Sequence, residues 1–387
     1  MPYLDCSYSI ASKVGNMTEN TNNKKKVRKN STLTRVLKYS AMRLVALLVT
    51  VTIGVYLTIL IANMGGYVDE LIKGQVNDRI MMTITQDRTM RDLPEEARTE
   101  LIETQKQLEY QRLGLDQPFL IRSFRFLWNA IRLDFGKAAS VTSDSGSRQV
   151  SLIISERLGP SLLLMGTSNL ILFFLAMTIS LALSRRYGSL IDRFFISLSP
   201  LSSMPSWFYG IFLILIFASV FKILPFSGMI DAPPPEPGWP YVLSVLRHLL
   251  LPVVALVVSQ SFASIYSWRT FFMIYSSEDY VDMAKAKGLP SKLIKRRYIL
   301  RPTLPTILTS FSLIMITSWM GAMLTETIFR WPGLGSVIVE AVGMYDTAVI
   351  VATTIIYGYL LAITVFLLDF VYALVDPRVK VGAGNGG

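Results

Sequence analysis

Thiols and imidazoles are almost missing from this 387-residue chain, which has one cysteine, Cys6, and one histidine, His248. A single thiol permits no disulfide framework and no thiolate metal cluster within the chain. His248 has no partners at metal-ligand spacing and reads as a hydrogen-bonded residue near the start of an apolar run. Charge is scarce as well, 17% of residues against about 25% in an ordinary soluble domain. No GxxxxGK[ST] occurs, so the chain does not itself cradle the phosphates of ATP. HExxH, Cys/His clusters and nucleophile elbows are missing too, which leaves no catalytic constellation to assemble. What the chain has instead is apolar mass, 51% of its residues.

That mass comes in blocks long enough for a hydrocarbon core about 30 Å thick. Runs near 41–62, 158–184, 194–221, 248–268, 303–329 and 348–372 predict an all-α integral membrane protein with six transmembrane helices. Their central parts carry no Asp, Glu, Lys or Arg, which argues against a stand-alone ion-coupled carrier or channel with a relay at membrane depth. Orientation follows from the basic residues. Between Lys24 and Arg43 lie eight basic residues, Lys24, Lys25, Lys26, Arg28, Lys29, Arg35, Lys38 and Arg43, and no acid, the composition of a segment held in the cytoplasm. Residues 69–148 balance twelve basic against thirteen acidic side chains and are placed outside. Counting crossings puts the loop with Arg185, Arg186 and Arg193, the island 276–305 and the Asp376-Pro377-Arg378 tail in the cytoplasm. The island agrees, with eight basic and three acidic residues from Arg269 to Arg301. Both termini are therefore expected on the cytoplasmic side of the membrane. The net charge of +11 is read as membrane orientation rather than nucleic-acid binding.

The chain divides accordingly. Residues 1–35 read as a disordered basic tail without a signal-peptide pattern, and 36–64 as a first membrane helix serving as an uncleaved signal anchor. Residues 65–150 form an extracytoplasmic insert that reads as helices with a break at Pro94; after Pro118, Leu120, Phe124, Leu127, Trp128 and Ile131 recur at helical spacing. Residues 151–380 hold five membrane helices and the cytoplasmic loop 276–305, and 381–387 are a flexible tail. IDAPPPEPGWP at 230–240 reads as a stiff spacer. In the third run, Ser199, Ser202, Ser203 and Ser206 surround Pro200 and Pro205, and Asn169 lies in the second. These hydroxyls and breakers fit a water-lined passage and fit helix packing through small residues equally well.

The island is SSEDYVDMAKAKGLPSKLIKRRYILRPTLP, Ser276 to Pro305. Ser277 is placed to cap a helix with Glu278 and Asp279 in its first turn. Gly288 and Pro290 end that helix, and a basic one runs on to Pro302 and Pro305. A short helix projecting into the cytoplasm between membrane spans fits a groove on another protein.

The run Asp282-Met283-Ala284, three residues, then Gly288 resembles the EAA coupling loop of prokaryotic ABC importer permeases, with Asp for the usual Glu and Met for the first Ala. The longer YVDMAKAKGLPSKLIKRRYILRPTLP resembles the version found in the dipeptide/oligopeptide/nickel permease family. GLDQPF, LDFG, LPFSG, RHLLLP, TETIFRWPGLGSVIVEAVGMYDTAV and LLDFVYALVDPRVK follow in that family's order, so the likeness covers about residues 35–380. Pro302 stands where members often have Asn. The resemblance implies a type I importer permease fold and a non-enzymatic subunit that binds no cofactor, with ATP and Mg belonging to partners. Those partners would be two cytoplasmic ABC ATPases, an extracytoplasmic substrate-binding protein and, from the B-type character of the GLDQPF loop, a C-type second permease. It implies that Tyr280, Asp282, Ala284, Lys287, Gly288 and Leu289 make the ATPase contact. It also favours an external gate from Glu326, Trp331, Pro332, Gly333, Gly335 and Asp346, with Glu326 and Asp346 meeting a cationic peptide terminus or the docked binding protein. Peptides are the leading substrate class, with nickel and oligosaccharides the alternatives within the same machinery.

Overall fold

A computed structural model of the protein describes residues 32–63, 66–86, 94–317 and 322–375. Cys6, the rest of the predicted tail before residue 32, and the Asp376-Pro377-Arg378 segment with the residues after it lie outside the described residues. The described chain is helical, with one isolated antiparallel bridge between Lys137 and Gln149. In chain order the helices are α1 Thr32–Asn63, α2 Tyr67–Gln86, α3 Glu95–Leu113, α4 Phe119–Ile131, α5 Val150–Leu183, α6 Leu190–Ser197, α7 Ser206–Leu213 and α8 Trp239–Ser276. They continue as α9 Asp279–Ala286, α10 Ser291–Leu293, α11 Arg301–Thr317, α12 Met323–Ile328, α13 Leu334–Gly343 and α14 Thr347–Val375.

Among the described residues, four helices are long and apolar enough to cross a bilayer, over Ser40–Asn63, Val150–Leu183, Trp239–Ser276 and Thr347–Asp369. The predicted third span, 194–221, is not one straight helix. Leu190–Ser203 and Ser206–Val220 meet at 99°, because Pro200 starts a 3-10 turn over Ser199–Ser203 and Pro205 starts α7. Proline has no amide hydrogen to continue either ladder. The predicted fifth span, 303–329, is divided between the 17-residue α11 and the short α12, with 318–321 outside the described residues.

Two of the prolines expected to precede that fifth span lie inside it. A π-helical turn over Ile294–Leu300 leads into α11, which contains Pro302 and Pro305. Buried Thr303 donates its hydroxyl to the carbonyls of Ile299 and Leu300, at 2.9 and 3.0 Å. It thereby occupies acceptors where the regular backbone pattern is interrupted.

Two compact units divide the chain. In the smaller, made of residues up to Val45 and from Asp369, Arg43 forms an ion pair with Asp369. The larger, Ala46–Leu368, centres on α8 packed along α5. Leu164 and Leu172 of α5 and Val245, Leu249, Val253 and Leu256 of α8 share one buried cluster. At 38 residues α8 is about 57 Å long, well beyond a hydrocarbon core of about 30 Å. It is therefore longer than the core requires, and α9 follows directly from its end. In the insert, α2 and α3 pair through Val76, Ile80, Ile84, Leu101, Ile102 and Tyr110, the helical pattern expected from the sequence. His248 is buried, and its Nδ1 donates to the Ser244 carbonyl at 2.9 Å.

Candidate functional site

α9 is anchored by its apolar side. Val281 and Ala284 are buried with Leu181 of α5, Phe272 of α8, and Ile294, Ile299 and Ile307 beyond the turn. Beneath them lies an aromatic pad: Phe173 meets Phe311 at 5.0 Å between centroids, and Trp268 stacks on Phe272 at 5.8 Å. Burial of this kind, about 25 cal/mol per Å² of apolar surface, seats the short helix more firmly than its own propensity could.

The helix ends in a Schellman motif. Gly288 has φ +71°, its amide donates to the Lys285 carbonyl at 2.9 Å, and the Leu289 amide donates to Ala284 at 3.3 Å. Leu289 then packs against the same cluster as Ala284. Nothing crowds the Gly288 α-carbon, so glycine is required there by backbone conformation alone. The start differs from expectation. Glu278 occupies the N-cap position without a side-chain bond, while Ser277 closes α8, its hydroxyl donating to the Ile274 carbonyl at 2.9 Å.

The six residues of the predicted coupling contact are therefore divided. Tyr280, Asp282, Lys287 and Gly288 face outward, Leu289 is half-buried, and Ala284 turns into the bundle. Met283, 59% exposed, joins the outward face, and Asp282 pairs with Lys285 at 2.7 Å. Partial burial, then the neighbouring Glu278 carboxylate, hold the Tyr280 phenol above its ordinary range. It remains a hydroxyl donor across the physiological range.

Below this loop lies a buried ion pair that the sequence reading did not find. Arg269 of α8 binds Asp192 at the start of α6, with Nη2 2.6 Å from Oδ2 and Nε on Oδ1. The exposures of the two side chains are 6% and 1%. Asp192 Oδ2 also accepts the Gly188 amide at 2.9 Å, and Ser189 caps α6 through the Asp192 amide. The pair thus fixes the turn between α5 and α6 to α8 about two turns before the end of α8. The only sequence sign was an acid in a basic loop and an arginine late in an apolar run.

The predicted pathway residues also separate. Ser199, Ser202 and Ser203 line a groove of about 620 Å³ with Ile196, Pro200, Ala263 and Tyr266. Ser202 accepts the Ala263 amide at 3.1 Å across it. Ser206 is elsewhere, its hydroxyl 2.8 Å from that of Thr325, and Asn169 is buried in α5.

The six residues predicted as an external gate form an internal knot instead. Glu326, Trp331 and Asp346 are fully buried. Glu326 accepts the Ser161 hydroxyl at 2.8 Å and the Ser336 amide at 3.0 Å, so it caps the N-terminus of α13 from a distance. Ser161 in turn accepts the Leu334 amide at 2.7 Å, and Trp331 Nε1 donates to the Pro160 carbonyl at 2.9 Å. Gly333 and Gly335 are there because the carboxylate lies against them; a Cβ on Gly335 would stand 2.8 Å from Glu326 Oε2 and from Met323 Cα. Asp346 accepts the Ser140 and Val141 amides at 2.8 and 3.1 Å. In this structure both carboxylates, expected to meet a peptide terminus or a binding protein, are sealed from solvent and bonded within the chain.

Residues 170–381 match the family model described as binding-protein-dependent transport system inner membrane component. The chain is 29% identical to the di/tripeptide transport system permease protein DppB of Pseudomonas aeruginosa, over 70% of this chain and 83% of that protein. It is 30% identical to the dipeptide transport system permease protein DppB of Lactococcus lactis, over 69% and 83%. It is 27% identical to the oligopeptide transport system permease protein AppB of Bacillus subtilis, over 70% and 83%. Among solved structures it is similar to the MetNI methionine ABC transporter in its inward facing conformations, at 13% identity over 58% of this chain and 96% of that one, with a TM-score of 0.44. The family match spans the serine groove, the buried ion pair, the rooted helix α9 and the glutamate-capped turn, and the chain belongs to the binding-protein-dependent transport system inner membrane components, the membrane-embedded permease subunits of ABC transporters.

Proposed function

We propose that this chain is the B-type permease of an ATP-driven importer of di- or oligopeptides. It forms half of the pathway with a C-type partner and docks two cytoplasmic ATPases, which carry the ATP and Mg, through α9 and its turn. A separate extracytoplasmic protein delivers the substrate. The observation that carries the reading is the two-sided build of α9. Val281 and Ala284 root it in the bundle, while Tyr280, Asp282, Met283 and Lys287 are exposed just after the end of α8. The peptide class rests on the relatives' transport systems. In this reading the basic loops face the cytoplasm with both termini, and Ser199, Ser202 and Ser203 belong to the pathway wall. Force on α9 passes to α5 and α8 through the shared aromatic pad as rigid-body motion.

Co-purification tests the assembly: two nucleotide-binding subunits and a second permease should come down with this chain, and their absence would overturn the reading. Coupling is tested by Gly288→Asp and Ala284→Leu. The first disturbs the exposed turn, and the second unseats α9 from within. Both should abolish peptide uptake and substrate-stimulated ATPase while membrane insertion persists. Normal transport by both would exclude this loop as the coupling contact.

A further inference from the structure

α4 is built inside out for a helix on a water-soluble surface. Its polar side chains Arg122 and Ser123 are buried, whereas Leu120, Ile121, Phe124, Trp128 and Ile131 are 66%, 60%, 62%, 54% and 46% exposed. Among the described residues the Arg122 Nε has no partner, but the other polar atoms of the two side chains are bonded within the chain. Arg122 binds Asp69 of α2 through Nη1 and Nη2, at 3.1 and 2.5 Å, and Ser123 lies 3.2 Å from the Tyr56 hydroxyl of α1. The exposed arc is therefore a face left over after internal bonding, five apolar side chains wide and accompanied by Arg125.

The position of the helix decides what covers that face. Phe126, Leu127 and Ala130 share a cluster with Val51, Val55 and Ile59 of α1 and Val351, Ile355 and Tyr359 of α14. Both partners are candidate membrane spans. Phe124 stacks on Tyr56 at 5.3 Å, and the Tyr359 hydroxyl donates to the Ala130 carbonyl at 3.1 Å, so the two halves of α4 touch different spans and the helix lies across them. Val55 and Ile59 stand eight and four residues before the end of α1 at Asn63, and Val351 and Ile355 four and eight residues after the start of α14. At 1.5 Å per residue both pairs lie about 6 to 12 Å below the helix ends. Val51 and Tyr359, twelve residues in, extend the contacts to about 18 Å, and the shallower part of that range overlaps the depth at which interfacial amphipathic helices sit. On another side of α1, Ile53, Leu57 and Ile61 are 55%, 49% and 72% exposed, so this span too presents an apolar surface outward. Arg132 stacks over the Trp128 ring at 4.5 Å, and with Arg125 it supplies cations where lipid phosphates begin.

We propose that α4 is an interfacial membrane helix, lying in the leaflet at the Asn63 and Thr347 ends of α1 and α14, with Leu120, Ile121, Phe124, Trp128 and Ile131 among acyl chains and Arg125 and Arg132 at lipid phosphate. Through the Arg122 to Asp69 pair it holds α2 at a fixed height over the bilayer. The proposal rests on the membrane-embedded family and is independent of substrate and ATPase.

Single cysteines at Leu120, Phe124 and Ile131, in the full-length chain with Cys6→Ser and assembled with its partner subunits, give the test. Each is labelled with an environment-sensitive thiol dye in nanodiscs of phosphatidylcholine and phosphatidylglycerol. Lipids spin-labelled near the headgroup should quench all three at least about twofold more than a dye at Arg112→Cys on exposed α3, and aqueous iodide should show the reverse order. Iodide quenching equal to that at position 112 would overturn the proposal. So would protection from both quenchers that appears only with the second permease present, since it would assign the face to protein. All three positions are exposed, so failure of one variant to assemble leaves two that decide.

Discussion

Two short-helix turns in this molecule share a plan and treat their polar groups in opposite ways. The loop 276–301 runs α8, α9, a glycine turn and α11; the segment 323–346 runs α12, a glycine turn and α13. In the first, the acids and lysines face solvent, and Gly288 is needed only for its positive φ. In the second, Glu326 and Asp346 are fully buried, and Gly333 and Gly335 make room for a carboxylate. Polar residues in a turn between spans therefore offer a docking surface only where they reach solvent, as Asp282 does while paired with Lys285 and Asp346 does not.

The contrast can be broken at either end. Asp192→Ala, in the ion pair under the first loop, leaves Arg269 buried without its partner and should cost about 3–5 kcal/mol. The check is the thermal midpoint of the detergent-solubilised complex, and paired replacement of both residues by leucine should recover part of the loss. Gly335→Ala should cost about 3 kcal/mol, because its Cβ meets backbone atoms of Met323 that cannot move aside. The assay is protease resistance of the segment, which should fall together with transport. Gly288→Val requires a β-branched residue at φ +71°, a cost of about 1–2 kcal/mol. Here transport should be lost while the thermal midpoint moves little. Asp282→Ala removes one partner of an exposed pair and should change stability by no more than about 0.5 kcal/mol. Its effect belongs in the affinity for the ATPase, read by retention of that subunit at increasing salt.

Sequence and structure agree best where one local rule decides. The apolar runs gave α1, α5, α8 and α14, and Gly288 followed by Pro290 marked the end of α9. The serines around Pro200 and Pro205 were legible as an interruption, though not as a 99° bend, since hydropathy carries no angle. Partnership across long separations was not legible. Nothing near Glu326 in the chain points to Ser161, 165 positions earlier, and nothing near Arg269 points to Asp192. The same limit explains the gate residues: exposed and buried carboxylates look alike in a string of letters. It also explains Ala284, whose place in the loop motif did not reveal that it faces its own bundle.

One helix joins several of these features. From Pro252 to Ser276, α8 has no further proline and no break. Along that length it contributes Ala263 and Tyr266 to the serine groove, Arg269 to the buried pair, Phe272 to the pad and Ser276 to the approach to α9. Ala263 and Ser276 are about 20 Å apart on it. Such a rod transmits a push without storing it. In the proposed assembly, a nudge at the α9 end of this rod would reach the groove wall as tilt or translation, with the Asp192 contact as the fulcrum.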